Sequence, residues 1–584
     1  MGVLAAESPE WWWTWRAAAA ACLLLAVLHV AARVADALWW RPRRVEAHFA
    51  RQGVRGPPYR FLLGCVTETV ALMADAAARP MSPPDSHDAL PRVLAFYHYW
   101  RKIYGNARRV PVEFCLLLCS PSSSQRALIC LLMAAAARAG PMFLIWFGPT
   151  PRLTVADPEL VREVLLTRAD AFDRYEAHPV VRQLEGDGLV SLHDDKWALH
   201  RRVLTPAFFP DNLNRLAPHV GRSVAAMAER WRAMAYGAAG GEVEVDVAEW
   251  FQAVAEEAIT RATFGRSYDS GRAVFRMQAR LMAFASEAFR KVLVPGYRFV
   301  PTKKNRLSWS LDREIRRGLV ELIVDRSDEA EDEDVNDDKG TNSNGFRDLL
   351  GLMINAAGQK KAAAPAIPVA DMLEECKTFF FAGKQTTTNL LTWATVLLAM
   401  HPDWQRRARR EVLAVCGGAD ELPSKDHLPK LKTLGMILNE TLRLYPPAVA
   451  TIRRAKRDVV LGASVGAAAV SVPRDTELLI PIMAMHHDAT LWGDDATEFN
   501  PGRFAGGAAR AAAHPLAFIP FGLGPRMCIG QNLAILEAKI TLAILLQRFE
   551  LKRSPNYVHA PTVLMLLYPQ YGAPVIFRPI SPSD

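Results

Sequence analysis

Phe521-Gly-Leu-Gly-Pro-Arg-Met-Cys-Ile-Gly530 sets one cysteine, Cys528, between glycines and beside a cation, Arg526. The amphipathic run Leu533–Leu546, which reads as a helix, follows at once. Amide N–H groups at a helix start and a nearby guanidinium both favour a thiolate. Gly522, Gly524 and Gly530 allow tight turns and the close approach of a flat group. A thiolate held out from such a loop suits the axial position of haem iron.

Composition bounds what surrounds this loop. The chain has 584 residues, half of them hydrophobic, so it can bury a large core. The net charge of +9 is spread along the chain, with no Lys/Arg tract interleaved with aromatics, which argues against nucleic acid as a partner. A mild basic excess suits an anionic membrane surface or an acidic protein. The 8 cysteines are irregularly spaced and crowd toward the N-terminus, which fits neither a disulfide framework nor a zinc site and points to a reducing compartment.

Ala17–Ala32 carries no charge, and apolar character resumes past Arg33 and Asp36, which can pair on one helix face. Trp11, Trp12, Trp13 and Trp15 flank one end, and Trp39 and Trp40 the other. A helix from Trp15 to Trp39 rises about 36 Å, an interface-to-interface span. Arg41, Arg43 and Arg44 follow it, so the positive-inside rule puts the rest of the chain in the cytosol. The expected organisation is a lumenal N-terminus (1–16), a transmembrane anchor (17–40), a basic and Pro/Gly-rich linker (41–58) and one catalytic domain (59–584). Met142–Phe147 and Arg152–Val155 read as strands around a Gly148-Pro149 turn, and Asp157-Pro158 as a helix start. The segment 106–140 has no clear period, and it is read as a retained intron; a true insertion loop is the alternative. Residues 325–345 are acidic, then polar, and read as a disordered loop.

Other motifs carry chemistry. Trp197 and Arg201 stand one helical turn apart as two donors able to reach an anionic group. Val369–Met400 reads as a long apolar helix, broken at its centre by Ala382-Gly-Lys-Gln-Thr-Thr387. Gly383 lets another group lie against the backbone, and the Thr386 hydroxyl can hold a water and pass protons. Glu440 and Arg443, three apart among leucines, form a buried pair that needs a further partner.

These motifs together resemble the cytochrome P-450 family. The resemblance implies a mainly α (α+β) fold with a small mixed sheet, haem b as cofactor with Cys528 on its iron, and O2 as co-substrate. It implies cofactor contacts from Trp197, Arg201, Arg453, Phe521 and Arg526. It implies oxygen activation around Gly383, Gln385 and Thr386, and a structural triad of Glu440, Arg443 and Arg503. Gln385 stands where the family has an acid, and an amide cannot release a proton at neutral pH. No dinucleotide fingerprint or flavin module is present, so electrons are expected from NADPH through a separate membrane reductase.

Lys384-Gln385, LTWATVLLAMHPDWQ (391–405), LNETLRLYPPAVATIRRAK (438–456) and HAPTVLMLLYPQYGAP (559–574) are similar to the plant brassinosteroid 26-hydroxylase group of clan 72. That similarity implies side-chain hydroxylation and inactivation of a steroid hormone at the endoplasmic reticulum. By analogy it places substrate contacts at Phe380, Ala382, Val449, Ala450 and Met565. A gibberellin or cytokinin hydroxylase is the alternative within the enzyme class, and a non-catalytic haem-binding membrane protein the alternative outside it.

Overall fold

The computed structural model describes residues 10–105, 142–177, 179–238, 240–265, 273–274, 276–282, 284, 300–337, 348–358, 367–418, 421–463 and 469–580. The segment 106–140, read from sequence as an insert, lies outside these, as do 338–345 of the acidic stretch and the first nine residues.

The expected hairpin forms. Leu144–Phe147 pairs antiparallel with Thr150–Thr154, and Gly148 turns between them at φ 60°. Asp157 Oδ1 accepts the amides of Glu159 and Leu160, each at 3.0 Å, and so starts the helix Pro158–Arg162. This hairpin forms one edge of a five-stranded sheet that continues through Glu477–Ile480, Thr451–Ala455 and Phe172–Arg174. Only the junction of Thr150–Thr154 with Glu477–Ile480 is parallel. The register sets Arg174 directly opposite Arg453.

Helices make up the body. Val369–Met400 runs through the core and packs against Val247–Phe264 and Gln531–Arg548. Its last third buries every side chain from Leu390 to Leu398, the pattern of a helix surrounded on all sides.

Three expectations change. Asp325–Gly345 is not a loop throughout: the helix that begins at Lys303 continues to Asp337. No proline or glycine stands between Asp325 and Gly340, and Glu329, Ala330, Glu331 and Glu333 sustain helical backbone despite the charge. Asp36 pairs not with Arg33 but with Arg44, two turns along, at 2.8 Å. The basic segment after the anchor is no linker. The apolar helix Glu10–Ala35 passes through a wide turn, Asp36–Trp40, straight into a helix over Arg41–Arg51. That helix docks on the body through buried Phe49, an Arg41–Asp475 ion pair at 2.9 Å and a His48–Ser471 carbonyl contact at 2.9 Å. Gly53–Pro58 then lies along the sheet edge, where Arg55 accepts the Leu144 amide at 3.0 Å.

Buried imidazoles make the fold acid-sensitive. His87 lies 2.7 Å from the Tyr445 hydroxyl and 2.9 Å from His401, and His559 lies 2.9 Å from Tyr445 on its other side. Burial, reinforced by neighbouring imidazoles or Arg443, pushes His87, His486 and His487 down to about 3; burial pushes His559 to about 4. The unfolded chain, with histidines near 6.5, therefore binds more protons between those values and 6.5. Stability is full above pH 6.5 and falls as pH drops toward 3. Denaturant midpoints measured across that window are expected to decline steadily on acidification, and a flat profile from pH 7 to 4 contradicts this.

Candidate active site

The Cys528 loop is shaped by its glycines at two positions. Gly522 and Gly524 have φ of 78° and 75°, and a Cβ on Gly524 would run into the Leu165 carbonyl. The loop closes when the Cys528 amide donates to the Phe521 carbonyl at 2.9 Å. The thiol opens on an internal cavity of about 380 Å³.

The cavity gathers most of the motif residues. Trp197, Arg201, Ala382, Gly383, Thr386, Arg453, Phe521, Arg526 and Cys528 all line it. The wall on the Val369–Met400 helix is a stripe of Phe379, Ala382, Gly383, Thr386, Thr387 and Leu390, the one-face spacing of an α-helix.

The thiol's electrostatics differ from expectation. Burial raises the Cys528 pKa, and the amides of Gly530 and Gln531 and the Arg201 guanidinium only partly offset it. Arg526 is engaged elsewhere: it donates to Asp173 at 3.1 Å and to the Leu192 carbonyl at 2.8 Å, and lies 4.8 Å above the Trp197 ring. The loop's own groups thus favour the thiolate only in part, and a bound metal would supply the rest.

Four guanidinium groups line the cavity: Arg174, Arg201, Arg453 and Arg526. Arg453 donates to Thr451 Oγ1 at 2.9 Å and to the Ile452 carbonyl at 3.0 Å. Burial, and then the charges of Arg174 and Arg526, pull its pKa down to about 10. Among the described residues, Arg174 pairs with Glu185 and Arg526 with Asp173, but neither Arg201 nor Arg453 has a carboxylate partner. Such a cluster calls for an anion in the cavity.

A model of the family described as Cytochrome P-450 matches residues 109–573. This chain belongs to the cytochrome P-450 family. It is 75% identical over 562 residues to Cytochrome P-450 734A4 of Oryza sativa subsp. japonica, covering 95% of this chain and 97% of the relative. It is 73% identical to Cytochrome P-450 734A2 of the same rice, covering 95% and 93%, and 53% identical to Cytochrome P-450 734A1 of Arabidopsis thaliana, covering 94% of each. Membership of this family makes the protein a monooxygenase, working with haem, O2 and electrons from a redox partner, and sets aside a non-catalytic haem-binding role.

The residues fit the family's cofactor. The thiol, two cations without carboxylate partners and an apolar cavity between them answer to haem's iron, propionates and ring. The oxygen-activation motif is partly self-occupied: Thr386 Oγ1 donates to the Ala382 carbonyl at 2.7 Å. Gln385 does not line the cavity, and its amide donates to Asn389 at 3.1 Å. The group that Gly383 admits is Ile259, whose Cγ1 would lie 2.5 Å from a Cβ there. Lys384 pairs with Glu256 on the facing helix.

The triad assembles in full. Arg443 grips both oxygens of Glu440 at 2.7 and 2.8 Å, and Arg503 Nε reaches the same carboxylate at 3.1 Å. Arg443 also donates to the carbonyls of His486, Ala496 and Glu498. His486 in turn accepts the Ile519 amide at 3.1 Å, which ties the triad to the chain entering the Cys528 loop.

Of the substrate positions, only Ala382 lines the cavity. Phe380 packs on Phe264 at 5.4 Å, one position off the stripe that Phe379 occupies. Ala448 and Thr451 face inward where Val449 and Ala450 were expected, and Met565 lies outside the lining. Leu189, Val190, Phe208, Ile259 and Ile482 line it without a motif to announce them. Glu537 was missed too. It lines the cavity fully buried, burial raises its pKa well above the ordinary value, and its Oε1 has no partner. A carboxyl inside the apolar face of Leu533–Leu546 was the signal for it.

Proposed function

We propose that this monooxygenase hydroxylates the side chain of a brassinosteroid at C-26 and so inactivates the hormone. One observation carries this reading: apart from four arginines and Glu537, the cavity lining is largely apolar, with Leu189, Val190, Phe208, Ile259, Phe379 and Ile482 among it. Lys384, next to Gly383 on the central helix, is paired with Glu256 and does not line the cavity. A carbon-rich neutral steroid suits such a lining.

The assignments follow. Cys528 would hold the iron of haem b, Arg201, Arg453, Arg526 and Trp197 would hold its propionates, and Phe521 would line its site. When bound, haem supplies the activation of O2 and the transfer of one oxygen atom to a C–H bond, with NADPH-derived electrons from a membrane reductase. Thr386 donates its own proton to the Ala382 carbonyl, so it would orient a cavity water as an acceptor, and it could relay a proton only after that bond breaks. Gln385 steadies that helix face through Asn389. The apolar N-terminal helix anchors the protein in the endoplasmic reticulum with the body in the cytosol. Mass spectrometry of enzyme and reductase fed castasterone, brassinolide, a gibberellin or isopentenyl adenine tests this. Hydroxylated steroid is expected; turnover of the gibberellin or the purine alone overturns it.

A further inference from the structure

Glu375 lies outside the cavity lining, on the first third of the Val369–Met400 helix, and is fully buried. Its two oxygens serve different parts of the site. Oε1 accepts from His200 Nδ1 at 2.6 Å, and His200 is itself buried on the helix Asp194–Leu204 that carries Trp197 and Arg201. Oε2 accepts the Leu189 amide at 2.9 Å. Leu189 and Val190 are cavity wall, as are Trp197 and Arg201.

The segment around Leu189 is fastened to the same helix along its length. The Asp187 amide donates to Glu374 at 2.8 Å, and Thr378 Oγ1 donates to the Glu185 carbonyl at 2.7 Å. Gly186 and Gly188 are required by this contact. A Cβ on Gly186 would lie 2.6 Å from the Glu374 carbonyl, and one on Gly188 would lie 2.5 Å from Thr378 Oγ1 and 2.6 Å from Glu375 Oε2. The segment therefore cannot shift without breaking the carboxylate's hold, and the carboxylate cannot shift without disturbing His200.

We infer that Glu375 is a positioning residue that couples the substrate-facing wall at Leu189–Val190 to the cofactor-holding helix at Trp197 and Arg201. Displacement of either arm moves the shared carboxylate, so ordering one arm lowers the cost of ordering the other. By linkage, substrate that steadies the wall tightens cofactor retention, and cofactor tightens substrate binding by the same factor. The substrate arm of this inference rests on the brassinosteroid reading; the mechanical arm does not.

The test uses the full-length haem-loaded protein and three variants. His200→Ala cuts only the cofactor arm, Glu375→Ala removes both arms, and Glu375→Gln keeps the shape and an acceptor oxygen. Hydrogen exchange at the amides of 187–190 and the rate of haem transfer to apomyoglobin are read without substrate, then with castasterone. In H200A the 187–190 amides are expected to exchange about tenfold faster although the substitution is on the other arm; E375A speeds both readouts, and E375Q, which keeps one acceptor oxygen, speeds them less than E375A. Castasterone is expected to slow haem transfer about fivefold in wild type and not at all in H200A or E375A. Wild-type loop exchange in H200A, or an undiminished castasterone effect there, overturns the coupling. A steroid without effect on wild type, alongside fast loop exchange in H200A, overturns the substrate reading and leaves the coupling standing. If E375A does not retain haem, H200A alone decides.

Discussion

Replacing Cys528 by serine is expected to reduce product formation to background, a loss of at least about a thousandfold. The change is one atom, and the loop should hold, because its shape comes from Gly522, Gly524 and the Cys528 amide to Phe521 carbonyl bond rather than from sulfur. What disappears is the one thiol among the described residues that line the cavity. A thiol loses its proton readily to a metal, and a serine hydroxyl, far less acidic, cannot be claimed in the same way. Pigment content, the spectrum of the reduced carbon monoxide adduct and steroid turnover should all fall together while circular dichroism stays near wild type. An unchanged adduct spectrum would falsify the ligand assignment.

The second large effect is on stability. Glu440→Ala or Arg443→Ala should cost about 3–5 kcal/mol: the first leaves the buried Arg443 without a carboxylate, and the second leaves Glu440 with Arg503 alone. Both side chains are wholly buried, so solvent screening offers no relief. Loss of Arg443 should be the worse of the two. It donates to three backbone carbonyls as well as to Glu440, and each carbonyl orphaned by its removal adds a penalty of about 1–3 kcal/mol unless water enters. Replacing the pair with two apolar residues, which rescues many buried ion pairs, should therefore fail here. Denaturant midpoints and haem content of the single and double variants measure this, and a double variant as stable as wild type contradicts it.

Much of the site was legible because its parts are local in sequence. A cysteine between glycines, Trp197 and Arg201 one turn apart, and hydroxyls interrupting an apolar helix each announce themselves within about ten residues. The triad was half legible: Glu440 and Arg443 share a turn, and Arg503 entered only through resemblance. What stayed hidden depends on distant segments meeting. Arg174 becomes a cavity cation because strand register sets it opposite Arg453, and Glu375 gains meaning only when His200 and Leu189 arrive from elsewhere in the chain. Phe380 was misplaced against Phe379 because one residue turns a helix by about 100°. The acidic stretch misled for another reason: composition reports polarity, and a highly charged segment can still hold a helical backbone.

The continuity of the membrane segment with the docked helix Arg41–Arg51 has a geometric result. Because Arg41, His48 and Phe49 fix that helix against the sheet, no swivel separates bilayer from body, and the azimuth of the catalytic domain about the membrane normal is set by helical phase. Each residue inserted upstream of Arg41 turns the apolar helix by about 100° relative to the body. Anchors of equal hydrophobicity but different length are therefore not interchangeable: they would aim the same cavity at different quarters of the membrane surface.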